Sequence, residues 1–128
     1  MLRSAGRPLI FHGSASEASL HKAYARASFT VYPSLIEGFG LPVLESLQYG
    51  KPCICSARGA LGESARGGGC LMLESIDAAN LAPAIRRLVQ DHIELGALVA
   101  AARSRTFKSW SHYAGEFTAW MGALERRN

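Results

Sequence analysis

The sequence predicts an α/β fold: a Rossmann-like parallel sheet flanked by helices, followed by an all-helical carboxy-terminal tail. Two observations lead to this prediction. Four short apolar runs alternate with segments of helical periodicity over the first 90 residues, and the remaining residues show helical periodicity only. Alternating strands and helices imply right-handed crossovers onto a parallel sheet. A chain of 128 residues is long enough to bury a real core, so we treat residues 1–128 as a single domain.

The predicted strands are short apolar runs bounded by glycine, proline or polar residues. The run FTVYP is rich in β-branched and aromatic residues and is apolar at most positions. That pattern is typical of a strand buried on both faces of a parallel sheet. The four predicted strands are residues 9–12, 29–33, 52–55 and 70–73.

The predicted helices follow apolar positions spaced by three and four residues. The second helix begins at Pro42, because proline suits the first helical position, and it ends before Gly50. The fourth has Asp77 or Asn80 as its predicted cap, and Pro83 is tolerated only in its first turn. The other predicted helices are residues 16–27, 61–66, 93–106 and 110–125.

The composition is that of a soluble globular chain, with 48% hydrophobic and 19% charged residues. No apolar run approaches the roughly 20 residues that cross a bilayer, and the apolar run near the start is too short for a signal peptide, so we expect a cytoplasmic protein. The net charge of +4 suits nucleic acid, an anionic membrane surface or a phosphorylated ligand, and a solvated helix face explains it equally well. Because the sequence has no helix-turn-helix, aromatic platform or clustered basic stripe, we expect no nucleic-acid partner.

The three cysteines, Cys53, Cys55 and Cys70, lie in predicted buried strands. A single Cys-x-Cys pair has too few ligands for a zinc site, so we expect structural thiols and no bound metal.

The segment EGFGLPVLE, residues 37–45, is the most unusual part of the chain, and we call it the Glu-flanked segment. It follows a predicted strand, at the edge of the sheet where open α/β folds bind ligands, and it leads into a helix. The free amides and partial positive charge of a helix start favour a phosphate, and Gly38 and Gly40 let the backbone approach it. Glu37 in the loop and Glu45 in the first helical turn would repel a bare phosphate but accept well from hydroxyl groups. A ligand that carries phosphate groups beside several hydroxyl groups is a nucleotide sugar. We expect the Phe39 side chain to pack beneath the segment.

Residues 33–56, PSLIEGFGLPVLESLQYGKPCICS, resemble the hallmark of a known family. Glu-x7-Glu with an internal Gly-Phe-Gly-Leu-Pro is typical of the retaining glycosyltransferases of the GT-B fold, in the group that includes sucrose synthases and bacterial mannosyl- and glucosyltransferases. The resemblance continues in LIFHGSASEASLHKAYARASFTVYPS before it and in LGES, DAANLAPAIRRLVQD and FKSWSHYAGEF after it. It covers nearly the whole chain and implies most of the carboxy-terminal, donor-binding half of a GT-B fold.

By this resemblance, Glu37 is the catalytic residue and contacts the ring hydroxyls of the donor sugar, while Glu45 accepts hydrogen bonds from the ribose. The residues implied to bind the sugar and diphosphate through their amides are Gly38, Phe39, Gly40 and Leu41. The loop that matches the base-side wall comprises Gly13, Ser14, Ala15 and Ser16. The resemblance implies transfer of a hexosyl group from a nucleotide-diphosphate sugar to a glycan or lipid-linked acceptor. The transfer would retain the anomeric configuration and need no bound metal or other cofactor.

Several parts of the family's usual pattern are missing from this sequence: a first strand with a glycine-bearing loop, an Arg and a Lys that grip the diphosphate, and the amino-terminal acceptor domain. We therefore expect the isolated chain to bind a donor weakly and to transfer no sugar. An unprotected sheet edge is expected to pair with a supplied amino-terminal domain or with another copy of the chain. The resemblance also allows peripheral contact at the inner face of the membrane. The alternative is a truncated, non-catalytic module that binds a nucleotide sugar or supports a partner, and the sequence does not separate the two.

Overall fold

The computed structural model describes residues 10–125 and contains a three-stranded parallel sheet. The strands are β1 (Thr30–Val31), β2 (Cys53–Ser56) and β3 (Cys70–Leu73), and their order in the sheet is β1-β2-β3. Thr30 pairs with Cys53, and Cys53 pairs in turn with Cys70. The strand order follows the chain order, so each crossover carries one helix and the sheet grows in one direction.

Within residues 10–125, six helices accompany the sheet. The first three are α1 (Glu17–Arg26), α2 (Leu41–Gln48) and α3 (Gly59–Ala65). The last three are α4 (Ala78–Gln90), α5 (His92–Arg103) and α6 (Trp110–Glu125). This arrangement confirms the predicted fold class, a partial Rossmann-like half of a GT-B fold with a helical carboxy-terminal end.

The predicted first strand is wrong over the residues that the structure describes. Residues 10–12 form no strand, and Leu9 lies outside the described residues. Ile10 is 68% exposed and Phe11 is 81% exposed. A strand needs a neighbour to pair with its backbone, and within residues 10–125 no strand lies beside these residues, so an apolar run alone does not produce one.

The fourth helix also differs in one respect from the prediction. Asp77 is the cap, as expected, and its carboxylate accepts from the backbone amide of Asn80 over 2.9 Å. Pro83, however, is the sixth residue of α4 and lies in its second turn. It therefore removes one backbone hydrogen bond on a helix that is held in place by its buried face.

β2 is the centre of the core, and all four of its residues are buried. On one face of the sheet, Cys53 and Cys55 pack with residues of α2, α3 and α5: Val43, Leu47, Leu61, Ala65 and Ala102. On the other face, Ile54 packs with Ala84 and Leu88 of α4. The central strand is thus covered on both sides, and the thiols of Cys53 and Cys55 are free and buried. FTVYP, for which burial on both faces is predicted, instead forms β1 at the edge of the sheet in residues 10–125, and Thr30 and Val31 are only half-buried.

The loop after α3 is held by a basic side chain from beyond α5. Arg105 donates from Nη1 to the carbonyl of Gly68 and from Nη2 to the carbonyl of Ser64, each over 3.1 Å. The guanidinium also lies 5.6 Å from the centre of the Phe107 ring. This arginine therefore has a structural role in joining the end of α5 to the α3–β3 loop.

α6 keeps its large apolar side chains in water. They recur at helical spacing and are all exposed: Trp110, Tyr113, Phe117, Trp120, Met121 and Leu124. Among residues 10–125, no helix combines the length and the apolar character that a bilayer span requires.

Candidate functional site

The Glu-flanked segment follows the carboxyl end of β1 and runs into α2, whose first five residues it includes. Gly40 fixes the shape of its loop part. Gly40 is the N-cap residue of α2 and has a φ of +78°. A Cβ at this position would lie 2.5 Å from Cδ2 of Leu61, a residue that is only 1% exposed. Both the left-handed backbone and the close approach of α3 therefore require glycine here.

The backbone amides of the segment are available to a ligand. Within the described part of the chain, residues 38–41 donate no backbone hydrogen bond, and Pro42 has no amide hydrogen. Among the residues that the structure describes, no side chain caps the start of α2. Four consecutive free amides at the positive end of a helix form a suitable place for an oxyanion such as a diphosphate.

Glu37 stands at the start of this segment, and two hydroxyl groups hold its carboxylate. Tyr32 donates to Oε1 over 2.5 Å, and Ser34 donates to the same oxygen over 3.0 Å. The hydrogen bond from Tyr32, followed by that from Ser34, holds the pKa of Glu37 below its ordinary value. The carboxylate is therefore ionised near neutral pH, with Oε2 left for a ligand.

Glu45 lies at the other end of the segment, on a rigid element. It is the fifth residue of α2, so it lies in the second helical turn and not in the first as predicted. Favourable interaction with the helix start therefore does not account for a carboxylate here, because that effect fades beyond the first turn. Its Oε2 accepts a hydrogen bond from the hydroxyl of Tyr24 over 3.2 Å.

The position of α2 on the sheet is fixed by a buried polar contact. Ser46, which is fully buried, shares a 2.7 Å hydrogen bond with the hydroxyl of Thr30 on β1. Its hydroxyl also donates to the carbonyl of Lys51 over 3.0 Å. Because Ser46 adjoins Glu45, the helix presents Glu45 at a defined angle to the sheet.

A cleft of about 380 Å³ separates α1 from α2 beside Glu45. The cleft is lined by two carboxylates, one imidazole, two phenol rings, one amide side chain and one leucine. Its lining residues are Glu17, Leu20, His21 and Tyr24 on α1, Glu45 and Gln48 on α2, and Tyr49, the C-cap of α2.

The residues predicted as a base-side wall lie at the start of α1. Gly13 has a φ of +57°, and Ser16 is the N-cap of α1, accepting from the amide of Ser19 over 3.3 Å. Gly13, Ser14, Ala15 and Ser16 are all exposed. Within residues 10–125, none of them has a hydrogen bond to the Glu-flanked segment, and Glu17, the next residue, reaches the cleft that Glu45 also lines.

Phe39 does not pack beneath the segment as predicted, because its side chain is 61% exposed. Its carbonyl is the anchored part and accepts from the hydroxyl of Ser64 on α3 over 3.0 Å. The contact with α3 thus orients the loop through its backbone, and it leaves the ring pointing into solvent.

The residues that sequence reasoning missed are the donors to the two carboxylates: Tyr24, Tyr32 and Ser34. Tyr32 and Ser34 lie within five residues of Glu37, so a search for hydroxyl side chains near that carboxylate would have found them. Tyr24 is 21 residues before Glu45, and only the packing of α1 on α2 brings the two together.

Comparison with known proteins decides the family. The family model described as glycosyl transferases group 1 matches residues 2–91, more than half of the chain. The chain belongs to this family. The match includes the whole Glu-flanked segment and ends just after α4.

Among curated proteins, this glycosyl transferase group 1 chain is similar to several bacterial relatives. It is 33% identical over 102 residues to an O-antigen chain mannosyltransferase B of Escherichia coli, which covers 78% of this chain and 26% of the relative. It is 35% identical over 104 residues to a D-inositol 3-phosphate glycosyltransferase 1 of Catenulispora acidiphila, covering 80% of the chain and 23% of the relative. It is 34% identical over 113 residues to an MMP alpha-(1->4)-mannosyltransferase of Mycolicibacterium hassiacum, covering 81% of the chain and 26% of the relative. The chain thus spans about a quarter of the length of the relatives it matches.

Proposed function

We propose that this chain is a donor-binding domain of a retaining glycosyltransferase. It binds a nucleotide-diphosphate sugar for transfer of a hexosyl group to a glycan or lipid-linked acceptor. The observation that carries the proposal is the order of groups along residues 37–45: an ionised carboxylate, four free amides, and a second carboxylate on a helix. Family membership and the transferase names of its relatives support the same function.

Each part of the donor has a matching group. The diphosphate is bound by the free amides of residues 38–41, assisted by the partial positive charge at the start of α2. Glu45 accepts from the ribose hydroxyls through Oε1, because Tyr24 occupies Oε2. The sugar lies at Glu37, whose free Oε2 accepts from its ring hydroxyls.

The proposed reaction needs no covalent bond to the protein. The bond between the anomeric carbon and the departing phosphate oxygen breaks, and a bond from that carbon to the acceptor oxygen forms on the same face. The acceptor's proton passes to an oxygen of the leaving diphosphate. Glu37, with its lowered pKa, stays ionised and stabilises the positive charge that develops on the sugar ring. Amides at the helix start stabilise the departing diphosphate without a metal ion.

The acceptor site and the diphosphate-gripping cations are proposed to come from another polypeptide or domain. The chain spans about a quarter of its relatives, and within residues 10–125 β1 lies at an edge of the sheet with two residues in the ladder. Such an edge can pair with a further strand from an amino-terminal half or from a second copy. We place the protein in the cytoplasm, with peripheral contact at the inner face of a membrane where the acceptor is a lipid.

The second candidate function is a non-catalytic module that binds a nucleotide sugar or supports a partner. The groups that suit a nucleotide sugar, the free amides of residues 38–41 and the carboxylates of Glu37 and Glu45, would serve binding without transfer equally well. An assay that mixes the chain with the acceptor half of a relative separates the two functions. Sugar transfer by the mixture supports the enzyme, and binding without transfer supports the module.

A titration followed by heteronuclear NMR tests donor binding directly. The 128-residue chain is titrated with GDP-, UDP- and ADP-sugars, and we expect millimolar binding with shifts at residues 38–41 and Glu45. Glu45→Gln should weaken nucleoside diphosphate and nucleotide sugar alike, by about tenfold or more for a hydrogen bond to a charged group. Glu37→Gln should weaken chiefly the nucleotide sugar. Glu116→Gln makes the same chemical change on α6, where Glu116 contacts Lys108 and His112, and should have no effect.

Two outcomes would count against the proposal. An absence of shifts at millimolar donor would show that these groups do not bind a nucleotide sugar in this chain. Equal losses for Glu37→Gln and Glu45→Gln with both ligands would contradict the separate roles for sugar and ribose.

A further inference from the structure

We propose that Tyr24 is a positioning residue that orients Glu45 for the ribose and so sets the preference of the site for ribose over deoxyribose. This inference rests on the proposed function of Glu45. Tyr24 is on α1, outside the Glu-flanked segment, and its hydroxyl donates to Glu45 Oε2.

The Glu45 carboxylate is held by the hydroxyl of Tyr24. A carboxylate on a long side chain rotates freely unless something restrains it. Among residues 10–125, Tyr24 is the only side chain that donates to Glu45, and no basic side chain forms an ion pair with it. The orientation of the Glu45 oxygens therefore depends on one phenol hydroxyl.

Two acceptors lie within reach of the Tyr24 hydroxyl. The carbonyl of Pro42 is 3.5 Å away and the Glu45 oxygen is 3.2 Å away. A hydroxyl has one proton, and a bond to a charged acceptor is the stronger of the two. Burial, reinforced by the charge of Glu45, raises the pKa of Tyr24 to about 12, so the hydroxyl remains a donor at all physiological pH values.

Tyr24 is itself held in place by Tyr49. Its ring stacks on that of Tyr49, with the centres 5.1 Å apart and the planes at 11°. Tyr49 in turn shares a hydrogen bond between its hydroxyl and Nδ1 of His21, one turn before Tyr24 on α1. The ring of Tyr24 is thus packed against Tyr49 where α1 meets the end of α2, and its hydroxyl has a defined direction.

Together these contacts leave one oxygen of Glu45 bound and the other open towards a ligand. The two ribose hydroxyls need the open Glu45 oxygen at a fixed position in order to donate to it. The phosphates and the base do not contact Glu45 in the proposed site. Loss of the Tyr24 hydroxyl should therefore reduce the affinity for a ribonucleotide and leave that for a dideoxyribonucleotide unchanged.

The test compares a ribonucleoside diphosphate with its 2′,3′-dideoxy counterpart as NMR titrants of the full chain. The variants are Tyr24→Phe, which removes only the hydroxyl, Glu45→Gln, and Tyr113→Phe as a matched control on α6. We expect Tyr24→Phe to weaken the ribose form by about threefold to tenfold, the range for one hydrogen bond, and to leave the dideoxy form unchanged. Tyr113→Phe should change neither.

The outcomes separate this inference from the proposed function. Equal weakening of both ligands by Tyr24→Phe would show a merely structural role, and no weakening of either would show no role; both overturn the inference. If Glu45→Gln leaves the discrimination between the two ligands intact, the ribose role of Glu45 itself is wrong.

A second measurement needs no ligand. The Glu45 carboxyl carbon resonance should shift in Tyr24→Phe and stay in place in Tyr113→Phe, since only the first loses a hydrogen bond to that carboxylate. An unshifted resonance in Tyr24→Phe would overturn the inference even if donor binding is confirmed. Spectra of the backbone amides show whether each variant is folded.

Discussion

Tyr32 and Glu37 are joined by a hydrogen bond of 2.5 Å that runs from the phenol hydroxyl to Oε1. Ser34 donates to the same oxygen, so both protein donors converge on one side of the carboxylate. The catalytic candidate is thus held by the residues just after β1, before any ligand is present.

Tyr32→Phe should raise the pKa of Glu37 towards its ordinary value, because the bond from Tyr32 is the largest cause of the lowered pKa. The carboxyl carbon of Glu37, followed by NMR as the pH falls, reports the change. Ser34→Ala should raise the pKa by a smaller amount. An unchanged midpoint in Tyr32→Phe would show that the bond does not form in solution.

The same contact makes a prediction about stability and pH. A carboxylate with a lowered pKa in the folded state contributes stability above its unfolded pKa, and this contribution is lost as the pH falls through the folded pKa. The difference in urea stability between the parent chain and Tyr32→Phe should therefore be present at pH 7 and shrink at acid pH. A difference that grows on acidification would contradict the sign.

Gly40→Ala should destabilise the fold by about 2 kcal/mol or more, from the cost of a left-handed alanine and from the clash with the buried Leu61 side chain. Urea unfolding measures the loss. Gly38→Ala is the matched control, because a Cβ there meets nothing within 4 Å. Equal stability of the two variants would mean that the contact between the segment and α3 is looser than described.

Arg105→Met should cost about 1–3 kcal/mol, because two carbonyl groups lose a charged donor while the aliphatic packing is kept. Arg105→Lys should restore little of this, since an ammonium does not span two carbonyls as a planar guanidinium does. Arg86→Met, at an exposed position of α4, should change the free energy of unfolding by no more than about 0.5 kcal/mol. Full rescue by lysine would argue against the two-carbonyl bridge.

A chain that ends at Ser109, without α6, should unfold at nearly the same urea concentration as the parent chain. The large apolar side chains of α6 are all exposed, so their removal takes little packing from the core. The two stability curves are compared by circular dichroism at 222 nm. A loss of more than about 1 kcal/mol would show that α6 packs on the rest of the domain.

The sequence predicted the elements whose signals are local. FTVYP, PCIC and CLML form or contain strands because their apolar runs lie between turn residues, and Asp77 caps α4 because its carboxylate reaches an amide three residues away. LIFH has the same local pattern and forms no strand over residues 10–12, because a strand also needs a partner that no local pattern reveals.

Some features of the candidate site also follow from local sequence, and others depend on how distant parts of the chain pack. The free amides and the need for glycine at position 40 follow from the motif and the helix that it starts. The donors to Glu37 and Glu45 do not, because Tyr32 and Tyr24 take those roles only through side-chain direction and helix packing. The exposed ring of Phe39 is a further case, since loop direction is set by the contact of its carbonyl with Ser64.

α1 buries none of its ten residues and is held to α2 mainly through Tyr24, His21 and Tyr49. β2, in contrast, is sealed on both faces. In hydrogen exchange, the amides of α1 therefore follow small local openings, whereas those of β2 wait for unfolding of the whole domain. The helix that orients Glu45 is thus expected to exchange its amides faster than the central strand does, and a ligand that bridges Glu45 and the amides of residues 38–41 should slow the exchange in α1.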